Sequence, residues 1–166
     1  MGAGGKAGQR APGMKNPDQN LPMTASSAFH ISVPVSDLTR ARAFYGVLLG
    51  CTEGRSAEDR IDFNFFGHHL VTHCEPTEAQ HRTRIVISSG LKTPVRHFGV
   101  IVSNDLWESL AQRLSDAGVE FAVPPQLVFA GEVREQSIFL ANDGCGNWVE
   151  FKAQARERVF ARAENA

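Results

Sequence analysis

Histidine is the residue type that carries chemistry most visibly in this chain, and two of its six histidines open nearly the same phrase. His30 begins HISVPVSD and His97 begins HFGVIVSND. Aligned on the histidine, both segments have Val at the fourth place (Val33, Val100), Val at the sixth (Val35, Val102), Ser at the seventh (Ser36, Ser103) and an acid or amide next (Asp37, Asn104). A neutral imidazole ligates divalent transition metals, and an ordinary pKa of about 6.5 also lets it carry protons near neutrality. Other chemistries have less behind them. Cys145, in NDGCGN, has neither a base at fixed spacing nor a second thiol and reads as a small turn residue. GAGG and GKAG follow no strand, which removes a phosphate-cradling reading.

The elements around the two histidines repeat as well. Phe29, Ile31, Val33 and Val35 alternate with His30, Ser32 and Pro34, the period of a half-buried strand, so His30 faces away from the apolar side. SDLTRARAFYGVLLG then predicts an amphipathic helix with Leu38, Ala41, Phe44, Tyr45 and Leu48 as its stripe and Gly50 as its stop. TEGRS, IDFNFFG and HHLVTH read as three short strands, the last pair turning at Gly67. The second passage has the same order: a strand from His97 to Val102, a helix NDLWESLAQRLSDAG with Leu106, Leu110 and Leu114 on one face, then VEFAV, EQSIFL and NWVEFK. The Gly- and Asx-rich turn ANDGCGN joins the last two, and the segment Pro124 to Arg134 is left without a placement. Between the passages, PTEAQHRTRIVISSGLKTPVR is polar apart from Ile85 to Ile87 and forms the seam.

The pattern is βαβββ written twice, an α+β fold in which two half-domains pair to enclose one cavity, each too small to bury its own sheet face. Residues 1–27 lack periodicity and are expected to be a disordered tail; 28–153 form the domain, with modules at about 28–75 and 95–153; 154–166 form a weak C-terminal helix or tail. With 166 residues, 42% of them apolar, the chain suffices for one sizeable core. The balance of 17 basic and 18 acidic residues offers no basic stripe, and the apolar runs are too short to cross a bilayer, so neither nucleic acid nor membrane is expected as a partner. Three scattered cysteines without CxxC spacing predict a reducing, cytoplasmic setting.

These runs resemble the vicinal oxygen chelate superfamily, which includes glyoxalase I, extradiol dioxygenases, methylmalonyl-CoA epimerase and bleomycin- and fosfomycin-resistance proteins. The resemblance covers roughly Ala28 to Lys152. IDFNFFGHHLVTH, HFGVIV and GNWVEFK are most similar to a small single-domain group described as predicted extradiol-type dioxygenases. It implies a metal held by a His on the first strand, a His on the fifth and a Glu on the eighth, which here are His30, His97 and Glu150. Alternation agrees, since His97 lies opposite Phe98, Val100 and Val102, and Glu150 opposite Val149 and Phe151. Two imidazoles and a carboxylate bind one face of a divalent metal and leave positions open for substrate.

The resemblance further implies a homodimer and a small-molecule substrate. Trp148, on the face of Glu150, offers an apolar wall for an aromatic substrate. His73, at the end of the fourth strand, is taken to occupy the slot that pairs with Glu150; it serves there either as a fourth metal ligand, as in lyases, or as a proton carrier, as in ring-cleaving enzymes, and the second role is favoured. The expected function is Fe(II)-dependent extradiol cleavage of a catechol-like diol. The alternatives are a lyase, isomerase or thiol transferase using Zn, Ni, Mn or Mg, and a metal-free antibiotic-binding protein. One departure is visible: ring-cleaving enzymes carry a Tyr shortly before the Glu, where this chain has Ile138, Phe139 and Leu140, and its one tyrosine is Tyr45.

Overall fold

A computed structural model describes residues 27–159. The expectations for the N-terminal tail and for the end of the C-terminal helix fall outside the described residues. The chain runs through β1 (His30–Val35), α1 (Leu38–Ala41) with a π-helical continuation (Arg42–Leu48), β2 (Thr52–Ser56), β3 (Arg60–Phe65) and β4 (His68–Cys74). A short α2 (Pro76–Ala79) and strands β5 (Ile85–Ser88) and β6 (Leu91–Pro94) lead to the second module. That module comprises β7 (Phe98–Val102), α3 (Asn104–Asp116), β8 (Phe121–Val128), β9 (Gln136–Asn142) and β10 (Trp148–Ala153), followed by α4 (Arg156–Val159). The sheets have equivalent orders, β1-β4-β3-β2 and β7-β10-β9-β8, and in each the first strand pairs in parallel with the last. The duplicated βαβββ reading therefore describes the fold.

One core spans both modules. Phe63, Phe65, Leu70, Leu110, Leu114, Phe139 and Phe151 are all buried within it. Phe65 meets Phe98 and Phe151 across the module boundary, with ring centroids 5.7 and 6.2 Å apart, and Phe139 stacks on Phe151 at 4.9 Å. Each such ring stabilises the fold by roughly 1.5–3 kcal/mol through removal from water. The helix-facing sides of both sheets are thereby used up, which leaves the opposite faces for His30, His69 and Glu150.

Three local readings need correction. The first helix widens after Ala41: Leu49 N–H donates to the Phe44 carbonyl, five residues back, at 2.9 Å. The wider turn lets the consecutive aromatics Phe44 and Tyr45 both face inward and moves the last buried position from Leu48 to Leu49. The seam is not a plain connection, because Ile85–Ser88 and Leu91–Pro94 pair as a hairpin. Its two loop residues, Ser89 and Gly90, have φ of 50° and 81°, the left-handed pair that a tight hairpin turn demands. Finally, β8 continues through Pro124 and Pro125 instead of ending at Val123. As an edge strand with register shifts at Val123/Gln126, it needs no ladder hydrogen bond from either proline.

A buried carboxylate clasps the modules together. Asp143, in the β9–β10 turn, accepts from the Tyr45 hydroxyl at 2.9 Å, from Asn147 Nδ2 at 2.8 Å, and from the backbone N–H groups of Cys145 and Asn147 at 2.7 and 2.8 Å. Asn147 Nδ2 also donates to the Pro34 carbonyl at 2.9 Å, and Ser36 N–H donates to the Cys145 carbonyl at 3.0 Å. Burial, reinforced by the Asp143 charge, holds the Tyr45 hydroxyl well above its ordinary pKa, so it remains a donor. Tyr45→Phe is expected to remove about 1.5–3 kcal/mol, the usual worth of a hydrogen bond to a charged group. Urea denaturation should show a lower midpoint at unchanged slope, and an unchanged midpoint would contradict the role given to this contact.

Candidate metal centre

The second module assembles two of the three expected ligands. His97 immediately precedes β7, and Glu150 lies on β10 opposite Gly99 in the parallel register. This close pairing excludes a side chain at position 99, where a Cβ would land on the Glu150 carbonyl oxygen. His97 Nε2 stands 3.5 Å from Glu150 Oε2, and Pro94 O lies 2.6 Å from His97 Nδ1, which holds the ring with Nε2 turned to the carboxylate. The chain entering His97 is itself fixed: Arg96 N–H donates to Thr83 Oγ1 at 2.8 Å, and Arg96 Nη2 donates to the His81 carbonyl at 2.8 Å.

Lys152 follows Glu150 on the same strand face, its Nζ 3.2 Å from Glu150 Oε2. Burial is the largest influence on the Glu150 carboxyl and raises its pKa, but the hydrogen bond to His97 and the Lys152 ammonium together outweigh it and bring the net shift below the ordinary value. His97 is shifted upward, above all by the same hydrogen bond, against the lowering effect of burial. The wall beside the pair is apolar. Leu140 is the cross-strand partner of Glu150 and Ile138 that of Lys152, and Val123 packs with them under Leu91 of β6.

His30 is held elsewhere. Its Nδ1 lies 2.9 Å from His69 Nδ1, its partner in the β1–β4 register, and His69 Nε2 lies 3.3 Å from Asp62 Oδ2. Among the described residues of one chain, no three His, Cys, Asp or Glu side chains converge so as to hold a metal ion. The structure thus brings His97 and Glu150 together and places His30 in a separate cluster with His69, Asp62 and Arg55. A single chain offers two partial sites.

The register also corrects the slot assigned to His73. In the second module the residue level with His97 is Trp148, extending the Val149–Phe98 pairing by one, and Glu150 lies two further along. In the first module the residue level with His30 is His69, so the position equivalent to Glu150 is Val71, not His73. His73 pairs with Pro34 and Arg60, four residues beyond His69, or roughly 13 Å along the strand. Trp148 lines a cleft of about 300 Å³ together with His97, Phe98, Ile31 and Pro34, at the junction of the modules. Three contributing residues escaped the sequence reading: Lys152, visible only as an alternation partner of Glu150, and Asp62 and His69, whose faces alternation gives but whose mutual contact it does not. Cys145 is buried and its thiol is pushed up to about 12, chiefly by desolvation, which agrees with an inert turn residue. No helix among the described residues is long and apolar enough to cross a membrane.

Comparison with known proteins follows this geometry. The family described as the glyoxalase/bleomycin resistance protein/dioxygenase superfamily matches residues 27–151. A glyoxalase/bleomycin resistance protein/dioxygenase from Alicyclobacillus acidocaldarius is 30% identical, with a TM-score of 0.65, over 89% of this chain and 100% of that one. The genomically encoded fosfomycin resistance protein FosX of Listeria monocytogenes is 21% identical, with a TM-score of 0.58, over 80% of this chain and 97% of that one. A mutant of that protein, solved with Mn(II) and 1S,2S-dihydroxypropylphosphonic acid, is 18% identical with a TM-score of 0.60, over 82% of this chain and 98% of its own. No curated protein sequence matches the chain.

The paired shifts of His97 and Glu150 give a direct test of the half-site. In metal-free Glu150→Gln the hydrogen-bonded charge disappears while burial remains, so the His97 pKa should fall, as followed by its imidazole proton shifts across a pH series. In the wild type the raised His97 pKa adds stability at pH below its unfolded value, and that increment fades as pH climbs through the folded one. An unchanged His97 titration in the variant would show that the two side chains do not interact.

Proposed function

The chain belongs to the glyoxalase/bleomycin resistance protein/dioxygenase superfamily, and from that membership and the two partial sites we propose a metal-dependent enzyme whose centre is completed between two copies of the chain. His97 and Glu150 of one subunit and His30 of the other would form the two-histidine, one-carboxylate set. The observation that carries this reading is the separation of His30 from the 3.5 Å His97–Glu150 pair. The donors suit a divalent ion: two imidazoles and a carboxylate on one side, with Val71 rather than a fourth ligand in the remaining equivalent slot. The exposed Ile101, next but one to Gly99 on β7, is the kind of surface a second subunit would cover.

Fe(II) is the proposed ion, with Zn, Mn, Ni or Mg as alternatives; bound there it supplies a positive centre that lowers the pKa of a chelating oxygen pair and holds the pair for reaction. The remaining work belongs to the chain's own side chains. Pro94 keeps His97 oriented, and Leu140, Ile138 and Val123 exclude water from the face where Glu150 sits. Trp148 provides a flat wall beside His97. An apolar wall of this kind favours a catechol-like diol and therefore extradiol-type cleavage. His73 lies too far along β4 to reach an oxygen on the ion held by His30, so the proposal gives the stabilisation of an ionised substrate oxygen to Lys152.

A second reading rests on Lys152 and on the likeness to FosX, which was solved with Mn(II) and a dihydroxypropylphosphonic acid: addition of water or a thiol to an anionic substrate. Oxygen uptake separates the two. The Fe(II)-loaded protein should consume oxygen with some catechol and form a coloured ring-opened product; metal binding without oxygen uptake across a catechol panel would leave the second reading. The shared centre is tested by complementation. His30→Ala and Glu150→Ala should each lose metal, and an equimolar mixture refolded together should recover about one quarter of the wild-type sites, since half of the dimers are mixed and each carries one intact site. A mixture that recovers nothing, or a monomer in sedimentation, would defeat the shared site.

A further inference from the structure

We infer that His69 and Asp62 are positioning residues that fix His30 in the tautomer with Nε2 free, so that the first strand presents one defined nitrogen outward; the functional consequence rests on the proposed role of His30 as a metal ligand. The chain of contacts begins at Asp62, which is buried on β3 and accepts from Arg55 Nε at 3.2 Å. Its Oδ2 is also 3.3 Å from His69 Nε2. At this separation a lone pair on His69 Nε2 would face the carboxylate charge, whereas a proton there is attracted to it, which favours the His69 tautomer with its proton on Nε2 and a lone pair on Nδ1.

The 2.9 Å contact between His30 Nδ1 and His69 Nδ1 needs one N–H and one lone pair. With the His69 lone pair assigned, the proton belongs to His30, and His30 Nδ1–H donates. The lone pair of His30 is then on Nε2, which has no hydrogen-bond partner among the described residues. Metal-binding histidines use this arrangement, in which one ring nitrogen donates to a fixed acceptor and the other is left free for the ion. His97 is oriented by a simpler route, with the Pro94 carbonyl at its Nδ1, and its Nε2 faces the Glu150 carboxylate. The first strand has no carbonyl there. It uses the neighbouring strand instead, where His69 lies level with His30 and Asp62 is the cross-strand partner of Val71, diagonal to His69.

The test uses histidine-labelled, metal-free full-length protein at a pH well above the ordinary imidazole range, where long-range proton–nitrogen spectra distinguish the two tautomers. His30 should be protonated at Nδ1 and unprotonated at Nε2. In Asp62→Leu the carboxylate facing His69 Nε2 is gone, so the His69 proton is no longer held there and His30 should populate the Nε2–H form. Zn(II) affinity, measured by competition with a chromogenic chelator, should drop about 10–100-fold in this variant, the usual cost of losing an outer partner. His69→Phe removes the acceptor altogether and should weaken Zn(II) in the same range, which covers the case in which Asp62→Leu fails to fold. A wild-type His30 carrying its proton on Nε2 overturns the inference, as does an unaltered tautomer and affinity in a folded variant. Wild-type Zn(II) affinity in His30→Ala would instead overturn the ligand reading while leaving the tautomer result standing.

Discussion

The Asp143 carboxylate governs where the rest of the structure sits. It is the only group in the β9–β10 turn able to collect a hydroxyl from the first module, a side-chain amide and two backbone N–H groups at once. Burying a charge in this way is tolerable because each contact replaces a lost water, whereas leaving one donor unpaired would cost the desolvation of both partners. The consequence lies immediately downstream. Asn147 is anchored to Asp143 and to the Pro34 carbonyl, and β10 begins at the next residue, so Trp148 and Glu150 inherit their position from a contact made with the other module. Gly146, at φ 115°, permits the tight passage of this turn against α2, where a Cβ would meet the Ala79 carbonyl.

The duplication explains the fold but not the chemistry, because the two sheets have diverged on their open faces. In the second module that face is dry: Val123, Ile138 and Leu140 surround one carboxylate, and the β5–β6 hairpin lends Leu91 as a cover. In the first module the corresponding face carries His30, His69, Asp62 and Arg55, linked by two hydrogen bonds and the close His69–Asp62 approach, and reached by solvent. Parallel pairing of β1 with β4 and of β7 with β10 puts equivalent positions level in both sheets. Against that common frame the differences stand out one by one: His69 where the other sheet has Trp148, Val71 where it has Glu150.

Most of the fold was legible because strand alternation and helix stripes are written locally. His30 opposite Ile31 and Val33, His97 opposite Phe98 and Glu150 opposite Val149 and Phe151 all follow from a period of two. What remained hidden depends on partners distant in sequence. No local pattern says that Phe44 and Tyr45 will both be buried, and it is this joint burial against Phe63 and Phe65 that the π-helical turn accommodates. A register offset of two residues, separating Val71 from His73, cannot be read from the ends of a strand. The hairpin in the seam was obscured because its strands are short and Ile85 and Ile87 are exposed rather than facing the core, although the Ser89–Gly90 pair was the available signal. The distribution of His30, His97 and Glu150 over two partial sites is a property of how modules pack, and composition is silent on that.

The presence of Lys152 follows from the cost of a carboxylate in a dry cup. Glu150 has about 15% of its side chain exposed and an apolar cross-strand neighbour in Leu140, so an unpaired charge there would carry a heavy desolvation penalty. Alternation leaves two positions on the same face from which a donor can reach it, two residues away on either side. Position 148 is taken by Trp, which lines the inter-module cleft, and position 152 therefore carries the cation, with His97 completing the coordination of the carboxylate from β7. The arrangement keeps Glu150 ionised at neutral pH without any bound ion, as its lowered pKa records. Because both donors converge on Oε2, the second carboxylate oxygen has no protein partner among the described residues, and the cup presents an ionised acceptor set in an apolar wall.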